Sequence, residues 1–149
     1  MELTYAQASA QDADAIFDLS KQLIDDYEDL STIDYDKVMN WVRRKIDTHI
    51  SQYRTVFLDG EKAGYFRFSP GEGLMELDDL YILPAFRGQG IGTAIVRKCC
   101  GESSLPVMLY VFTRNTGALK LYHRLGFRIT EALGKSRCIM VRQPDREVL

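Results

Sequence analysis

A glycine-rich loop between a strand pattern and a helical pattern limits the folds and ligands that are compatible with this sequence. An apolar run at residues 80–83 has the pattern of a strand end, Pro84 stops it, and Arg-Gly-Gln-Gly-Ile-Gly follows at residues 87–92. Glycines let the backbone come close to an anion and adopt positive φ, and the first N–H groups of a helix have no partner within it. Arg87 adds a bidentate cationic group. The loop therefore predicts a pyrophosphate site at a helix N-terminus.

The position of this loop argues against two common nucleotide-binding folds. A dinucleotide fingerprint lies near the first strand and has an acidic residue about 20 residues later, whereas this loop lies mid-chain and residues 107–112 contain no acid. A P-loop needs Gly-Lys followed by Ser or Thr, which the loop does not contain. Three glycines alone would equally suit a capped turn without a ligand, so the surrounding sequence has to decide.

Periodicity on both sides of the loop predicts the element order β-α-α-β-β-β-α-β-α-β-β. Asp59-Gly60 between two strand patterns predicts a hairpin, and the continuous apolar run at residues 106–112 suits a strand buried on both faces. Since strands alternate with helices only in the second half, we expect an α/β (α+β mixed) fold. Its sheet of about seven strands is antiparallel first and partly parallel later, with helices on both faces. Without repeats or linkers, residues 1–149 are expected to form one domain.

Composition limits the range of functions. A net charge of −2 and a pI near 5.7 do not favour nucleic-acid binding, and no apolar stretch approaches the roughly 20 residues of a membrane span. Cys99, Cys100 and Cys138 are an odd number without metal-ligand spacing, so we expect neither a disulfide framework nor a metal site. The first ten residues lack the pattern of a signal peptide, and the expected location is cytoplasmic.

The strand before the glycine loop, predicted over residues 74–83, carries three acids. Alternation gives it two faces, one with Glu76, Asp78, Leu80 and Ile82 and the other with Leu77, Asp79 and Tyr81. The apolar positions switch faces partway, from Leu77 to Leu80 and Ile82. A bulge near Asp78-Asp79 would explain this switch.

Two signatures in the second half of the chain resemble those of the Gcn5-related N-acetyltransferase (GNAT) family. The first is Arg-x-x-Gly-x-Gly at residues 87–92. The second, at residues 115–127, is an Asn followed by an Ala-x-x-x-Tyr helix and Gly-Phe. Their order and spacing match the family over residues 74–127, and the first 70 residues match in arrangement only. The resemblance implies the GNAT fold and acetyl-CoA as acyl donor, with no metal.

The resemblance also implies which residues bind the cofactor. In that family the backbone amides of the glycine loop hold the pyrophosphate, and the end of the fourth strand pairs with the pantetheine arm. The matching loop positions here are Arg87, Gly88, Gln89, Gly90, Gly92 and Thr93, and the matching strand positions are Leu80, Tyr81 and Ile82. Asn115 would contact the cofactor or tie down the loop after the fifth strand.

Tyr122 is at the family's usual position for the general acid that reprotonates the CoA thiolate. A phenol, with a reference pKa near 10, is close enough to a thiol near 8.5 to serve in this way. Glu76 and then Asp78 are the preferred candidates for the base that deprotonates the amine, and Asp79 is the third. Transfer of that proton to water is the alternative, with the strand acids only attracting a cationic substrate.

The acceptor is the least constrained part of the sequence. Acids at the end of the first helix and on the fourth strand favour a cationic amine, preferably a small molecule; they are Asp25, Asp26, Glu28, Asp29, Glu76, Asp78 and Asp79. The four helix acids could equally form a solvated surface. A lysine or a protein N-terminus is the alternative acceptor. A CoA-binding regulatory module without turnover and a protein-interaction domain are the competing classes. Members of the family often dimerise, so a homodimer is a further expectation.

Overall fold

The computed structural model of the protein describes residues 1–145. The strands are β1 (Leu3–Gln7), β2 (Tyr53–Leu58), β3 (Glu61–Pro70), β4 (Met75–Ile82), β5 (Val107–Phe112), β6 (Arg128–Leu133) and β7 (Arg137–Arg142). The α-helices are α1 (Ala13–Tyr27), α2 (Tyr35–His49), α3 (Ile91–Glu102) and α4 (Thr116–Arg124). The predicted element order is confirmed.

The strands form one seven-stranded sheet in the order β1-β2-β3-β4-β5-β7-β6. The β1–β2, β2–β3, β5–β7 and β6–β7 pairs are antiparallel, and β4 and β5 are parallel. The sheet is therefore antiparallel first and partly parallel later, and the predicted mixed α/β class is confirmed.

Local sequence signals explain several element boundaries. Asp59 and Gly60 have φ of 48° and 86°, the left-handed pair that a two-residue hairpin needs, so β3 begins at Glu61 directly after the turn. Of the two acids that could cap α2, Asp34 does so by accepting a hydrogen bond from the N–H of Lys37 at 3.2 Å.

Contacts divide the chain into two compact units. The first comprises Met1–Arg67 and Asp79–Arg87, and the second comprises Phe68–Asp78 and the chain from Gly88 onward. Ile16, Ile46, Tyr53 and Val56 are fully buried in the first unit, and Ile95, Val96 and Phe127 are fully buried in the second. Organisation as one domain stays a prediction.

Strand β4 is irregular at the predicted place. Asp79 has φ of 49°, a left-handed conformation inside a strand, and the ladder between β4 and β5 ends at the pair Glu76↔Met108. The predicted switch of the apolar face was wrong, because Leu77 and Tyr81 are the buried positions while Leu80 and Ile82 are half-buried. Tyr81 stays inside because its hydroxyl finds hydrogen-bond partners there.

The remaining expectations from composition concern cysteines, membranes and metals. Cys99, Cys100 and Cys138 are buried and unpaired. None of the helices in residues 1–145 combines the length and the apolar character that crossing a bilayer requires. Over the same residues, His, Cys, Asp and Glu side chains form no group of three that could hold a metal ion.

Candidate active site

The glycine loop leads directly into an uncapped helix. Gly88 and Gly90 have φ of 78° and 82°, which explains the glycines, and a Cβ added at either would meet no atom within 4 Å. Gly90 is the residue before α3, its carbonyl accepts a hydrogen bond from Ala94 at 3.0 Å, and no side chain caps the helix. The first amides of α3 therefore lack partners within the helix, and they lie beside two glycines with open space around them.

Arg87 is held at the entry of this loop. Its Nε donates a hydrogen bond to the carbonyl of Ile82 at 3.0 Å, and the side chain is otherwise exposed. This bond orients the guanidinium and leaves its terminal N–H groups available for an anion.

Asn115 caps helix α4. Its Oδ1 accepts a hydrogen bond from the N–H of Ala118 at 3.2 Å, which satisfies one of the helix's orphan donors. The helix starts where the sequence predicts, and Asn115 has a structural role of its own. Its contact with a cofactor stays a prediction.

Tyr122 lies on α4 with its ring edge-on to Phe127, at 5.7 Å between ring centroids. Burial raises the pKa of the Tyr122 phenol to about 12, so the phenol keeps its proton at neutral pH. Within residues 1–145 its hydroxyl makes no hydrogen bond. The next residue, His123, is exposed, as the sequence predicted. Tyr122 is half-buried and its phenol is protonated, so it has a proton to donate.

The first half of β4, residues 75–78, presents Glu76 and Asp78 to Tyr110 of β5. Burial and then the charges of Glu76 and Asp78 raise the pKa of the Tyr110 phenol; Glu131 adds to this effect, and Arg137 opposes it. Tyr110 is 44% exposed, with the Arg137 guanidinium 6.0 Å from its ring centroid. The charges of three carboxylates thus act on one exposed tyrosine.

Sequence reasoning missed Tyr110 and Glu131. Tyr110 is the one residue with a hydroxyl in the apolar run of β5, and this signal could have singled it out. Glu131 becomes relevant only through strand order, because it pairs with Ile139 of β7, which also pairs with Tyr110.

The second half of β4, residues 79–82, has a different environment. Asp79 Oδ2 accepts hydrogen bonds from the Tyr53 hydroxyl at 2.5 Å and from Lys45 Nζ at 3.0 Å. Asp79 Oδ1 accepts one from the Tyr81 hydroxyl at 2.9 Å, and the Tyr81 and Ser20 hydroxyls lie 2.8 Å apart. We call these five residues the Asp79 cluster. Asp79, the third candidate for the base, is therefore occupied by three donors.

Tyr81 is fixed at both its side chain and its backbone. Burial first, and then the neighbouring Asp79 charge, raise the pKa of its phenol well above the ordinary value. Its carbonyl oxygen would lie 2.2 Å from a Cβ at Gly64, so only glycine fits at that position of β3. Leu83 donates a backbone hydrogen bond to Ala63 at 2.8 Å.

The acids at the end of α1 are engaged locally. Asp25 accepts hydrogen bonds from Lys21 at 2.8 Å and from the Tyr35 hydroxyl at 2.7 Å, and these bonds lower the pKa of Asp25. Asp26 accepts one from Gln22 at 2.8 Å. These contacts favour a self-paired surface over a site that attracts substrate.

The chain belongs to the acetyltransferase (GNAT) family, because the model of that family matches residues 16–127. The predicted class, the acetyl-CoA-dependent N-acetyltransferases, is the class of this family. The roles of individual residues stay predictions.

Two curated relatives share sequence with part of the chain. Thialysine N-epsilon-acetyltransferase of Bos taurus is 37% identical over 76 residues, which is 47% of this chain and 45% of that protein. The N-acetyltransferase MJ1207 of Methanocaldococcus jannaschii is 37% identical over 62 residues, covering 39% of this chain and 27% of that protein. The chain thus spans less than half the length of these relatives.

A solved structure matches the whole fold. PaiA N-acetyltransferase from Thermoplasma acidophilum, crystallised in complex with coenzyme A, superimposes with a TM-score of 0.71 at 17% identity, covering 96% of this chain and 99% of that one. This similarity confirms the GNAT-type fold.

Proposed function

We propose that this chain transfers the acetyl group of acetyl-CoA directly to a primary amine of a cationic small molecule. The observation that carries the proposal is the uncapped start of α3, entered through two left-handed glycines with open space beside them. Free amides at a helix N-terminus attract an anion such as the CoA pyrophosphate. Family membership supplies the reaction class.

Binding of acetyl-CoA is assigned to backbone groups and one side chain. The pyrophosphate is assigned to the loop residues Arg87, Gly88, Gln89, Gly90, Gly92 and Thr93. The pantetheine arm is assigned to the strand residues Leu80, Tyr81 and Ile82, and a further contact to Asn115. Bound in this way, acetyl-CoA supplies the activated thioester. A backbone N–H of Tyr81 or Ile82 polarises its carbonyl.

In the transfer step, the neutral amine nitrogen bonds to the acetyl carbonyl carbon, the carbon–sulfur bond breaks, and the nitrogen loses one proton to solvent to become the neutral amide. Tyr122 gives its proton to the leaving sulfur and is reprotonated from solvent. A phenol with a pKa of about 12 would be a weak donor to an ordinary thiolate. Shielding from water makes a thiolate more basic as well, so transfer from Tyr122 requires that the leaving sulfur is shielded where the carbon–sulfur bond breaks.

Glu76 is the preferred base for the amine proton, and Asp78 is the second candidate. Glu76 is half-buried, and in residues 1–145 no side chain donates a hydrogen bond to it. Its carboxylate oxygens are therefore available for a proton. Loss of the amine proton to water is the remaining alternative.

The cationic acceptor is supported by the three carboxylates that act on Tyr110: Glu76, Asp78 and Glu131. An amine with a second positive charge suits such a surface. The bovine relative is named for thialysine, a small amino acid with a side-chain amine. A lysine or N-terminal amine of a protein is the alternative acceptor, and a regulatory module without turnover is the alternative class. A homodimer and a cytoplasmic location stay predictions.

A Tyr122→Phe variant tests the proposal. With acetyl-CoA and a panel of amines, kcat should fall about 10²–10⁴-fold, while acetyl-CoA affinity by calorimetry stays unchanged. His123→Gln, an exposed neighbour on the same helix, is the control and should keep full activity. Full activity in Tyr122→Phe would remove Tyr122 from the mechanism. Binding of acetyl-CoA without turnover of any amine would favour the regulatory module.

A further inference from the structure

The Asp79 cluster has a role that the proposed function does not assign. We infer that Asp79 is a positioning residue, which uses Tyr53, Lys45 and Tyr81 to fix the second half of β4 in the conformation that the acetyl thioester requires. The inference rests on the proposed function, since that function assigns the thioester and the pantetheine arm to this half of the strand.

The first observation is the backbone of Asp79. Among the described residues other than glycine, only Asp59 and Asp79 have positive φ. Asp59 lies in a hairpin turn that requires this conformation, whereas Asp79 lies inside β4, where no turn imposes it. Left-handed backbone costs free energy in a residue with a Cβ, so surrounding contacts have to hold Asp79 in place.

The second observation is that the cluster joins four elements of the first unit. Tyr53 begins β2, Lys45 comes from α2, Tyr81 from β4 itself, and Ser20 from α1 through the Tyr81 hydroxyl. Tyr53 is fully buried and Ser20 is 3% exposed. Because residues of several elements donate hydrogen bonds to the Asp79 carboxylate, its side chain cannot rotate freely. The peptide that follows Asp79 is therefore fixed as well.

The third observation is the backbone contact of Tyr81 with β3. Its carbonyl packs against Gly64, in a space that a Cβ would fill, while its hydroxyl is held by Asp79 and Ser20. Both the backbone carbonyl and the side-chain hydroxyl of Tyr81 are thus fixed. This sets the directions of the β4 amides that polarise the thioester carbonyl. Such donors accelerate a reaction only when they are oriented beforehand.

A purely stabilising role predicts a different outcome from a positioning role. Tyr53→Phe removes one phenol that donates to Asp79 and keeps the ring. The matched control is Tyr65→Phe, because Tyr65 is also buried and its hydroxyl donates to another carboxylate, Asp12, at 3.2 Å. Both variants lose one phenol–carboxylate hydrogen bond in the first unit, and only Tyr53→Phe touches the Asp79 cluster.

The test uses acetyl-CoA labelled with carbon-13 at the acetyl carbonyl. In the wild type and in Tyr65→Phe, binding should shift the carbonyl resonance, as expected when an N–H donates to it. In Tyr53→Phe this shift should be smaller, with an unchanged Kd for acetyl-CoA. With thialysine as acceptor, kcat should fall about tenfold and KM should not change. If Tyr53→Phe does not fold, Lys45→Met, at a site 20% exposed, replaces it.

The outcomes separate the inference from the proposed function. An equal carbonyl shift in the wild type and in Tyr53→Phe would overturn the inference alone. A wild type that binds acetyl-CoA with no carbonyl shift would also overturn the inference, whereas a wild type that acetylates no amine would overturn the proposed function on which the inference rests. Equal losses of shift in Tyr53→Phe and Tyr65→Phe would also overturn the inference, because general destabilisation would then account for the effect.

Discussion

Both halves of β4 carry acidic side chains, but the hydrogen bonds that these acids accept differ. Glu76 and Asp78, in the first half, act on an exposed tyrosine, Tyr110, and Glu76 accepts no hydrogen bond within the described chain. Asp79, in the second half, accepts three hydrogen bonds from Tyr53, Tyr81 and Lys45. Glu76 and Asp79, three residues apart, thus differ in how many hydrogen bonds their carboxylates accept.

The number of hydrogen bonds that each acid accepts indicates which role it is suited to. A general base needs a lone pair that a substrate proton can reach. The oxygens of Asp79 are already taken by three donors, so a substrate proton has no free lone pair to reach there. Glu76 is therefore suited to chemistry and Asp79 to positioning. Substitutions at each residue test this difference.

The largest effect is expected for Asp79→Leu. Loss of the carboxylate removes the hydrogen bonds that it accepts from Tyr53, Tyr81 and Lys45, which should lower the free energy of unfolding by about 3 kcal/mol. Glu76→Gln in the first half of β4 should change it by less than about 0.5 kcal/mol. Urea denaturation of both variants measures the difference, and equal effects would contradict the contrast.

Gly64→Ala tests the backbone side of the second half of β4. A Cβ placed 2.2 Å from the Tyr81 carbonyl oxygen forces backbone to move, so we expect a loss of about 2 kcal/mol of unfolding free energy. Gly101→Ala in α3 is the control, because its Cβ would meet nothing within 4 Å. It should be neutral or stabilise the helix by up to about 1 kcal/mol. If the denaturation midpoint of Gly64→Ala equals that of the wild type, β4 can shift away from the added Cβ.

Glu76→Gln should lower kcat/KM about tenfold, equivalent to about 1.4 kcal/mol of transition-state stabilisation. The loss should shrink at higher pH, where the amine is already neutral. Glu72→Gln, an exposed acid in the turn before β4, is the control. Pre-steady-state rates of CoA release measure the effect. A loss found in Asp78→Asn instead would move the role to Asp78, and full activity in both would leave the proton to water.

The smallest effect expected is a fall in stability at alkaline pH that depends on Tyr81. Burial and Asp79 raise the pKa of Tyr81 in the folded protein well above 10. Below pH 10 the phenol is protonated in both states and contributes no pH dependence. As pH rises above 10, the unfolded chain releases this proton while the folded chain keeps it, so the free energy of unfolding falls. Urea titrations at several pH values should show a shallower fall in Tyr81→Phe, and identical slopes would be evidence against the shift.

Local patterns explain why so much of the fold could be predicted from the sequence. Helical and strand periods, the Asp59-Gly60 turn and the cap at Asn115 all act within a few residues. The glycine loop is local too, since its left-handed residues and its uncapped helix start are adjacent in the chain. These features fixed the element order and the candidate pyrophosphate site.

The missed features depend on contacts distant in sequence. Tyr81 bonds Ser20 across 61 residues, and Tyr53 bonds Asp79 across 26, so no periodicity could show that Tyr81 would be the buried residue. Glu131 reaches the surroundings of Tyr110 only because β7 lies between β5 and β6. Tertiary packing, and not the local sequence, decides that Asp79 accepts three hydrogen bonds while Glu76 accepts none within the described residues.

The transfer of the acetyl group can be followed directly with an isotope label. The wild-type protein is incubated with acetyl-CoA labelled with carbon-13 in the acetyl group, and with a panel containing a polyamine, an aminoglycoside, thialysine and a lysine peptide. Products are identified by mass. We predict labelled acetyl on at least one amine, with an equal amount of CoA thiol released. CoA release without an acetylated amine, or acetyl-CoA binding without release, would contradict the proposed transfer of acetyl to an amine.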